Sequence, residues 1–371
     1  MTQAAGRGEP LRIAIVGCGQ IADAHLQEIR KISDARVVAV CDREADLAYQ
    51  AAARFDIAKQ YQDVDRMLAD VRPDVVHVTT PPHTHFAIAS KCLEAGAHVY
   101  VEKPFALNAD ETRHLLELAN TRRLIACPGH DHLFDPVWKE ALRVVASGEM
   151  GSIVHVDSTM GYDATGPFGT LIQTDPRHWI HRLPGGIFHN VISHPVYKVT
   201  PFLVDDKPEV IALSFGAADV APLPTELRVL VRGEHVSAYI ALLSQARPVR
   251  RLVRLYGTAN SMEIDFDAGL ARRIGSSALP GAFGRIEAPV RQTLEAARSS
   301  GKALRKFARS EIQYFAGMRA LFQALYDAVR TGGAPPVPYA EIQRVANIMD
   351  AIFQQTPCNS LPPPKTELAK S

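Results

Sequence analysis

The sequence predicts two successive domains, an α/β domain on a doubly wound parallel sheet and an α+β domain whose sheet is mostly antiparallel. The chain has 371 residues, against roughly 150 for an average domain. Its first third alternates short β-branched runs with amphipathic helical spacing, which is typical of parallel βαβ units. Its later part contains successive strand-like runs with few helices between them, which indicates antiparallel pairing.

The first domain is predicted over residues 11–130, after a flexible N-terminus at 1–10. Buried β-branched runs indicate its strands, at 12–16, 36–41, 75–79, 98–101 and 124–127. Apolar residues three and four apart indicate its helices, at 21–32, 45–55, 86–95 and 109–119. In such a sheet, ligands bind at the carboxyl ends of the strands.

The second domain is predicted over residues 131–356 and opens with a linking helix at 136–146. Its strands are expected at 152–160, 209–215, 226–231, 235–243, 249–256 and 261–266. Two helices, at 314–330 and 339–354, close the domain. The Pro-rich end, 357–371, is expected to be a flexible tail.

Composition limits the classes of function. Apolar residues make up 47% and charged residues 22% of the chain, as in an ordinary globular protein. The net charge of +1, from 41 Lys and Arg against 40 Asp and Glu, argues against a nucleic-acid-binding surface. The five cysteines lack CxxC spacing, which argues against a disulfide framework or a zinc site. Without a secretory signal or an apolar run of membrane-span length, a cytoplasmic protein is predicted.

A glycine-rich turn follows the first strand directly. Gly17, Gly19 and Ala22 fit the pattern G-x-G-x-x-G/A. Gly17 allows a tight turn, Gly19 lets the backbone approach a pyrophosphate, and the small Ala22 lets the helix pack on the strand. Gln20 and Ile21 begin that helix, whose free N–H groups attract phosphate. A purely structural turn is the alternative, but the strand before it and the helix after it favour a dinucleotide site.

Asp42 ends the second strand, about 20 residues after the turn, where a carboxylate can accept hydrogen bonds from a ribose 2′-hydroxyl. Because a carboxylate repels a 2′-phosphate, NAD is the predicted cofactor, although the neighbouring Arg43 leaves NADP open. The alternative for Asp42 is a solvated residue that starts the next helix. Thr80, Pro81 and His85, after the third strand, are predicted to contact the cofactor, although His85 could instead begin a helix.

The segment VYVEKPF at 99–105 ends the next strand. Together with GCGQIA at 17–22, TTPPHTH at 79–85 and YGTANSMEID at 256–265, it resembles the glucose–fructose oxidoreductase / inositol dehydrogenase (Gfo/Idh/MocA) family. The resemblance implies a Rossmann dinucleotide domain followed by an α+β domain with a large open sheet. It also implies that Glu102 and Lys103 lie at the cofactor, with Lys103 at the nicotinamide and the substrate, often before a cis proline.

Lys103 also fits the chemistry of hydride transfer. Removing a hydride from an alcohol requires a group for the hydroxyl proton and one for the negative charge on oxygen. A partly desolvated lysine at the carboxyl edge of a sheet suits either role. A surface lysine paired with Glu102 is the alternative that the residues alone would favour.

The segment PGGIFHNVISH at 184–194 supplies the second predicted catalytic group. The family has here a glycine turn and a helix that carries Asp and, four residues later, His, on one helical face. His194 matches the histidine and is predicted to be the general acid or base. Asn190 stands at the Asp position, as in some family members that act on nucleotide-linked sugars. It can orient a hydroxyl but cannot accept a proton.

Four further residues are predicted to contact the substrate together with Asn190. Asp131 and His132 lie in a segment that often reaches the active site of the family, and Trp179 and Arg182 lie in a polar loop before the glycines. The histidines do not follow metal-ligand spacing, so no metal is predicted.

Residues 269–310 form a basic stretch that the family often lacks, with nine Arg and Lys against two Glu. Within it, the spacing of residues 290–309 predicts a helix with an apolar stripe beside a basic one. One interpretation is packing on the second domain or on another subunit. The other is weak contact of 285–309 with an anionic membrane surface.

The sequence therefore predicts an NAD-dependent oxidoreductase that moves a hydride between nicotinamide and a ring carbon of a sugar, sugar derivative or nucleotide sugar. Lys103 and His194 would transfer the hydroxyl proton of the alcohol and stabilise the negative charge on its oxygen. The alternatives are a redox-cycling lyase, epimerase or glycosidase with no net redox change, and a non-catalytic NAD-binding sensor or scaffold. Since a bare open sheet would expose an apolar face, a homodimer or homotetramer is expected.

Overall fold

The chain forms two sheets, each covered by helices. The computed structural model describes residues 9–163, 166–175, 178–216, 226–275, 279–308 and 315–356. The strands are β1 Leu11–Val16, β2 Ala35–Cys41, β3 Gln60–Tyr61, β4 Val75–Val78, β5 His98–Val101, β6 Ala126–Pro128, β7 Ile153–Gly161, β8 Glu209–Phe215, β9 Glu226–Arg232, β10 Ser237–Leu243, β11 Arg251–Gly257, β12 Asn260–Asp265 and β13 Leu270–Gly275. The helices are α1 Gln20–Ile29, α2 Ala45–Phe55, α3 Val64–Val71, α4 His85–Glu94, α5 Ala109–Arg122, α6 Pro136–Ala146, α7 Pro167–Thr174, α8 Gly186–Val191, α9 Ser193–Val196, α10 Gly281–Ala308, α11 Ala316–Thr331 and α12 Tyr339–Gln355.

The first sheet has six strands in the order β3-β2-β1-β4-β5-β6, and its strand pairs are parallel. The order reverses between β1 and β4, so the carboxyl ends of these two strands flank the crevice in which such sheets bind ligands. The predicted strands and helices of this domain are confirmed. Sequence analysis missed β3 and α3, because a two-residue strand and an eight-residue helix leave little periodicity to recognise.

The second sheet has seven strands in the order β13-β12-β11-β7-β10-β9-β8. Only β7 and β10 pair in parallel, and the remaining pairs are antiparallel. The predicted fold class is therefore confirmed for both domains. Residues 270–275 of the basic stretch form the edge strand β13, which sequence analysis did not predict. Its Arg272 and Arg273 each lie 2.5 Å from a glutamate, Glu263 and Glu149 respectively.

Helix α11 follows the second sheet in the chain but packs against the core of the first. Leu321, Phe322 and Leu325 of α11 are fully buried among the side chains of the parallel sheet. The Phe322 ring lies 4.7 Å from the ring of His77 in β4, measured between centroids. The two domains are thus joined by the returning chain as well as by the linking helix α6.

No helix in the described ranges is both long and apolar enough to cross a membrane. The predicted tail at 357–371 and residues 1–8 of the predicted flexible N-terminus lie outside the described residues.

Candidate active site

The glycine turn between β1 and α1 has the shape that a pyrophosphate requires. Gly17 has φ +98°, and a Cβ there would lie 2.7 Å from the backbone nitrogen of Thr80. At Gly19, by contrast, a Cβ would meet no atom within 4 Å, so this side of the turn is open. Since no side-chain cap bond forms at Gly19, the first N–H groups of α1 remain available to an anion. The turn therefore fits a dinucleotide.

Asp42 fastens this turn to the end of β2. Its Oδ2 accepts the Cys18 N–H at 2.7 Å, and its Oδ1 accepts the Glu44 N–H at 2.8 Å. Each carboxylate oxygen has a second lone pair, so contact with a ribose hydroxyl stays open. The Arg43 side chain is 91% exposed, so it lies in solvent rather than against the turn.

The loop after β4 packs on the turn and on the EKP segment. Thr80 lies where a side chain at Gly17 would collide, and Pro81 precedes the short 3-10 turn Pro82–Thr84. His85 is fully buried, with its ring nitrogens each 2.8 Å from a backbone oxygen, those of Pro104 and Thr80. Because both nitrogens are engaged within the protein, we now expect His85 to brace this loop rather than to contact the cofactor.

A pocket of about 900 Å³ opens beside the turn and lies between the two domains. Side chains from both domains line it, including Ile21, Glu102, Lys103, Asp131, His132, Met160, His194, Arg251, Phe266 and Asp267. Ile21 belongs to the dinucleotide turn, so this pocket adjoins the predicted cofactor site. A second large cleft, about 1070 Å³, lies at the amino ends of the same parallel strands, beside Asp74 and His98, and thus at the opposite edge from the turn.

Lys103 reaches across the domain boundary to Asn190. Its Nζ donates to the backbone oxygen of Asn190 at 3.0 Å and to Asn190 Oδ1 at 3.3 Å. The Lys103–Pro104 bond is cis, as the family resemblance implies. Burial lowers the pKa of Lys103, whereas the charges of Glu102 and Asp131 oppose that shift. The ammonium is therefore partly desolvated and aligned by an amide oxygen.

His194 is linked through Tyr197 to Asp131. The Tyr197 hydroxyl donates to Asp131 Oδ1 at 3.4 Å, and His194 Nδ1 lies 2.6 Å from the Tyr197 oxygen. With the hydroxyl proton directed to Asp131, His194 donates from Nδ1, which leaves Nε2 with a free lone pair. Burial, reinforced by His132 and Lys103, lowers the pKa of His194 well below its usual value, so the ring is neutral. Burial, together with the charge of Glu102, raises the pKa of Asp131 to about 7.

A buried row of hydrogen-bonded side chains extends from Glu102 into the first domain, away from the pocket. Glu102 Oε1 lies 3.0 Å from His25 Nε2, His25 Nδ1 lies 2.9 Å from His77 Nδ1, and His77 Nε2 lies 2.8 Å from the Tyr326 hydroxyl. Burial alone would raise the pKa of Glu102, but the His25 hydrogen bond and charge lower it below its usual value. An ionised carboxylate accepts only, so His25 carries its proton on Nε2. Sequence reasoning did not identify these three residues, whose only signal was polar side chains within apolar runs.

The predicted substrate residues divide into two groups. Asp131 and His132 line the pocket, and Asn190 contacts Lys103 at its edge. Trp179 and Arg182 are not among the residues that line the pocket. The 3-10 turn that contains them, Trp179–Arg182, packs instead in a separate apolar cluster formed by Ile172, Ile180 and Leu183. Burial lowers the pKa of His83, and the charge of Arg182 lowers it further, which indicates that Arg182 lies toward the loop after β4.

Four further residues at the pocket were not predicted. Arg251 and Phe266 line it, whereas Tyr197 and Lys198 contact the lining residues His194 and Phe266 respectively. The signal available for Tyr197 and Lys198 was their spacing, three and four residues after His194. Arg251 and Phe266 come from the second sheet and its following loop, which no local pattern connects to the site.

Potential ligand atoms of Asp131, His132 and His194 lie within 4.8 Å of one another, which is close enough for a metal ion. Burial lowers the pKa of both histidines, and the charges of Lys103 and Lys198 lower it further, which indicates a positive potential at this cluster. Such a potential opposes a divalent cation. The absence of a metal nevertheless stays a prediction.

Residues 11–130 match the family described as "Oxidoreductase family, NAD-binding Rossmann fold". The chain is 26% identical over 267 residues to the protein named uncharacterized oxidoreductase ORF334 of Rhizobium meliloti, covering 68% of this chain and 74% of that protein. It is 34% identical over 145 residues to the D-glucoside 3-dehydrogenase of Escherichia coli K12, a match that covers 39% of this chain and only 41% of that protein.

Among solved structures, the fold is similar to that of the WlbA dehydrogenase from Bordetella pertussis, which was crystallised with NADH and UDP-GlcNAcA. The TM-score is 0.75 at 17% sequence identity, with 96% of this chain and 99% of that chain covered. This likeness shows a shared two-domain fold. The predicted NAD-type cofactor domain is confirmed at the level of the family. Residues 11–130 therefore match the NAD-binding Rossmann domain of the Gfo/Idh/MocA family of oxidoreductases.

Proposed function

We propose that this protein is an NAD-dependent oxidoreductase that moves a hydride between nicotinamide and a CH–OH carbon of a sugar, sugar derivative or nucleotide sugar. The supporting observation is that Lys103 and His194, contributed by different domains, line the same pocket as Ile21 of the dinucleotide turn. A non-catalytic sensor would have no need for both groups there.

The residues of the first domain would bind the cofactor. Gly17, Gly19 and the N-terminus of α1 would hold the pyrophosphate, and the Asp42 carboxylate would accept a hydrogen bond from a ribose hydroxyl. NAD bound in this way supplies the hydride acceptor. The names of two similar proteins, a glucoside 3-dehydrogenase and a dehydrogenase crystallised with a nucleotide sugar, support a sugar-like substrate.

Lys103 and His194 would bind the alcohol group of the substrate and accept its proton. Lys103, aligned by Asn190, would donate a hydrogen bond to the alcohol oxygen and stabilise negative charge on it. Nε2 of His194 would accept the hydroxyl proton. Because the resulting imidazolium lies near Lys103, its Nδ1 proton would be drawn toward Tyr197 and Asp131, whose pKa near 7 suits it to accept a proton.

The test is hydride transfer, followed as absorbance at 340 nm when purified protein and NAD receive inositols, free sugars or nucleotide sugars. We expect turnover with at least one class, and its loss by a factor of 100 or more, as is common for catalytic groups, in Lys103→Ala and in His194→Ala. Lys139→Met, which removes an exposed lysine of α6, is the matched control. Full turnover in both catalytic variants would refute the assignment.

A redox-cycling reaction with no net redox change is a second candidate. Asp131 favours it, because a carboxyl group with a pKa near 7 beside His194 offers a second site for a proton taken from carbon. Reduced cofactor in the protein as purified, discharged by substrate without added NADH, would support this reaction. If the purified protein carries no reduced cofactor and releases NADH in proportion to the product formed, the redox-cycling reaction is excluded.

We also propose three properties of the whole protein. The four cysteines within the described ranges are buried and free, which fits a reducing, cytoplasmic location. The exposed apolar side chains Ile211, Leu213 and Phe215 of edge strand β8 fit a homodimer or homotetramer, which light scattering in solution tests. The basic helix α10 fits weak contact with an anionic membrane surface.

A further inference from the structure

Lys198 is a buried lysine that the proposed reaction does not use. Its exposed fraction is 1%, and its Nζ lies 4.0 Å from the centroid of the Phe266 ring, which lines the pocket. Within the described ranges, no carboxylate lies within ion-pair distance of this Nζ, and we find no hydrogen bond to it. A buried ammonium without a counter-ion is unfavourable unless a ligand supplies one.

The position of Lys198 continues the row of active-site side chains. Asn190, His194 and Lys198 follow one another at four-residue intervals, a spacing that places side chains on one helical face. Asn190 contacts Lys103, and His194 lines the pocket. Asn190 lies in α8, His194 lies in α9, and Lys198 lies in the turn that follows α9, so Lys198 stands one such interval beyond His194 in the chain.

A second cation, that of Arg251, lies on the wall of the pocket, whereas Lys198 adjoins the pocket through its contact with the lining residue Phe266. Arg251, at the start of β11, lines the pocket and has Asp267 as an ion-pair partner at 2.6 Å. Lys198 and Arg251 both act on His132, whose pKa burial and these charges lower well below its usual value. Burial and the charge of Arg251 also lower the pKa of Lys198 to about 7, although Asp131, Asp135 and Asp267 oppose this shift. An anion between the two cations would relieve their repulsion.

We propose that Lys198, assisted by Arg251, binds a carboxylate of the substrate, so that the substrate of the proposed reaction is an acidic sugar. Arg251 is already paired with Asp267, and Lys198, with a pKa of about 7, is only partly charged at neutral pH. The positive charge available to a ligand therefore suits a carboxylate better than a doubly charged phosphate. That the ligand is a sugar rests on the proposed function. That the subsite binds an anion does not.

The experiment measures binding to the enzyme–NADH complex, so that it does not depend on turnover. The probes are D-glucuronate against D-glucose and D-galacturonate against D-galactose, at constant ionic strength, followed by calorimetry or by the fluorescence of bound NADH. Each pair differs only by a carboxylate in place of CH₂OH. Glucose 6-phosphate and inorganic phosphate form the arm that distinguishes a phosphate site from a carboxylate site.

In the wild type, we expect at least one uronate to bind about ten times more tightly than its neutral partner, the size of effect that a charge-assisted hydrogen bond gives. Lys198→Met should abolish this preference while the affinities for NADH and for the neutral sugar stay within about twofold. Lys198→Arg should retain part of the preference. Lys139→Met, in which the lost lysine lies over the Phe134 ring but is exposed, should change nothing.

Three results would overturn the proposal: no preference for either uronate in the wild type, a preference for phosphate over uronate, or an equal loss of acidic and neutral ligands in Lys198→Met. The last result would assign Lys198 a purely structural role. If uronates bind in a Lys198-dependent manner but no substrate reduces NAD, the proposed reaction fails and the anion subsite stands.

Discussion

The side chains of Lys103 and His194 differ from an ordinary surface lysine and histidine because burial acts on both. It lowers the pKa of each, so the ammonium is desolvated and the imidazole is neutral. In a low-dielectric pocket each hydrogen bond to a developing alkoxide is stronger than it would be in water. Sequence reasoning could identify both residues from the EKP and glycine-turn motifs, but not the Tyr197–Asp131 link, which depends on the fold.

The first prediction concerns pH. Asp131 has its pKa raised to about 7, so it is protonated below this pH and ionised above it. If ionised Asp131 is the end of the proton path, kcat/KM for alcohol oxidation should fall about tenfold per pH unit below 7 and level off above it. Asp131→Asn and Tyr197→Phe should each lower the rate and remove this limb, whereas Asp135→Asn should keep it. A limb near pH 7 that survives in Asp131→Asn would contradict the assignment.

The second prediction concerns the buried chain behind Glu102. Burial and His25 lower the pKa of His77 well below its usual value, so His77 is neutral. If the hydrogen bonds run in one direction, Tyr326 donates to His77, His77 donates from Nδ1 to His25, and His25 donates from Nε2 to Glu102. Nitrogen-15 NMR of histidine-labelled protein should then show His25 with its proton on Nε2 and His77 with its proton on Nδ1 at pH 7.

Tyr326→Phe is the control for this chain, because it removes only the outermost donor and should leave the His25 tautomer unchanged. His77→Leu should free His25 Nδ1 and weaken the support of Glu102. A doubly protonated His25, with His77 carrying its proton on Nε2, would show that the chain runs in the opposite direction.

At the scale of elements, the dinucleotide turn is the best determined from sequence. A strand, two glycines at fixed spacing and a helix predict its position, and the φ of +98° at Gly17 gives the physical reason for the first glycine. The edge strand β13 shows the opposite case. Its sequence, LARRIG, lies in the basic stretch without a predicted strand, and it is identified as a strand by its pairing with β12.

The third prediction compares two glycines with positive φ. Gly17→Ala places a Cβ 2.7 Å from the Thr80 nitrogen, whereas Gly96, with φ +90°, has no atom within 4 Å of a Cβ. Both substitutions should lower the free energy of unfolding by about 1–3 kcal/mol through backbone strain, and Gly17→Ala by more. Only Gly17→Ala should weaken NADH binding, by about tenfold or more. Equal NADH affinity in the two variants would contradict a pyrophosphate site at this turn.

The fourth prediction concerns α10, which presents an apolar row to solvent. Phe283, Ile286, Val290 and Leu294 are each more than half exposed, beside exposed arginines such as Arg298. Sedimentation with vesicles should show weak binding when phosphatidylserine is present, lost at high salt because the Debye length shortens. Ile286→Glu should reduce the binding, whereas Leu213→Glu, on the outer face of β8, should not. Binding without dependence on anionic lipid, or none at all, would remove this proposal.

At the scale of the whole molecule, the pocket exists because the chain crosses between the two domains more than once. Helix α6 leads into the second sheet, and α11 returns to the core of the first. Periodicity predicts the two sheets, since strand and helix patterns are local. It could not predict that Arg251 and Phe266 approach Lys198, or that Trp179 lies off the pocket, because these contacts join segments far apart in the chain.

The central claim is that the ammonium of Lys103 and the imidazole of His194 act on one alcohol beside the nicotinamide. A crystal structure of the protein with NAD and a bound sugar tests it most directly. We predict that Lys103 Nζ and His194 Nε2 both lie within hydrogen-bond distance, about 2.6–3.2 Å, of one hydroxyl oxygen. The carbon that bears this hydroxyl should lie about 3–3.5 Å from nicotinamide C4. A sugar that contacts only one of the two groups, or a nicotinamide ring outside this pocket, would contradict the claim.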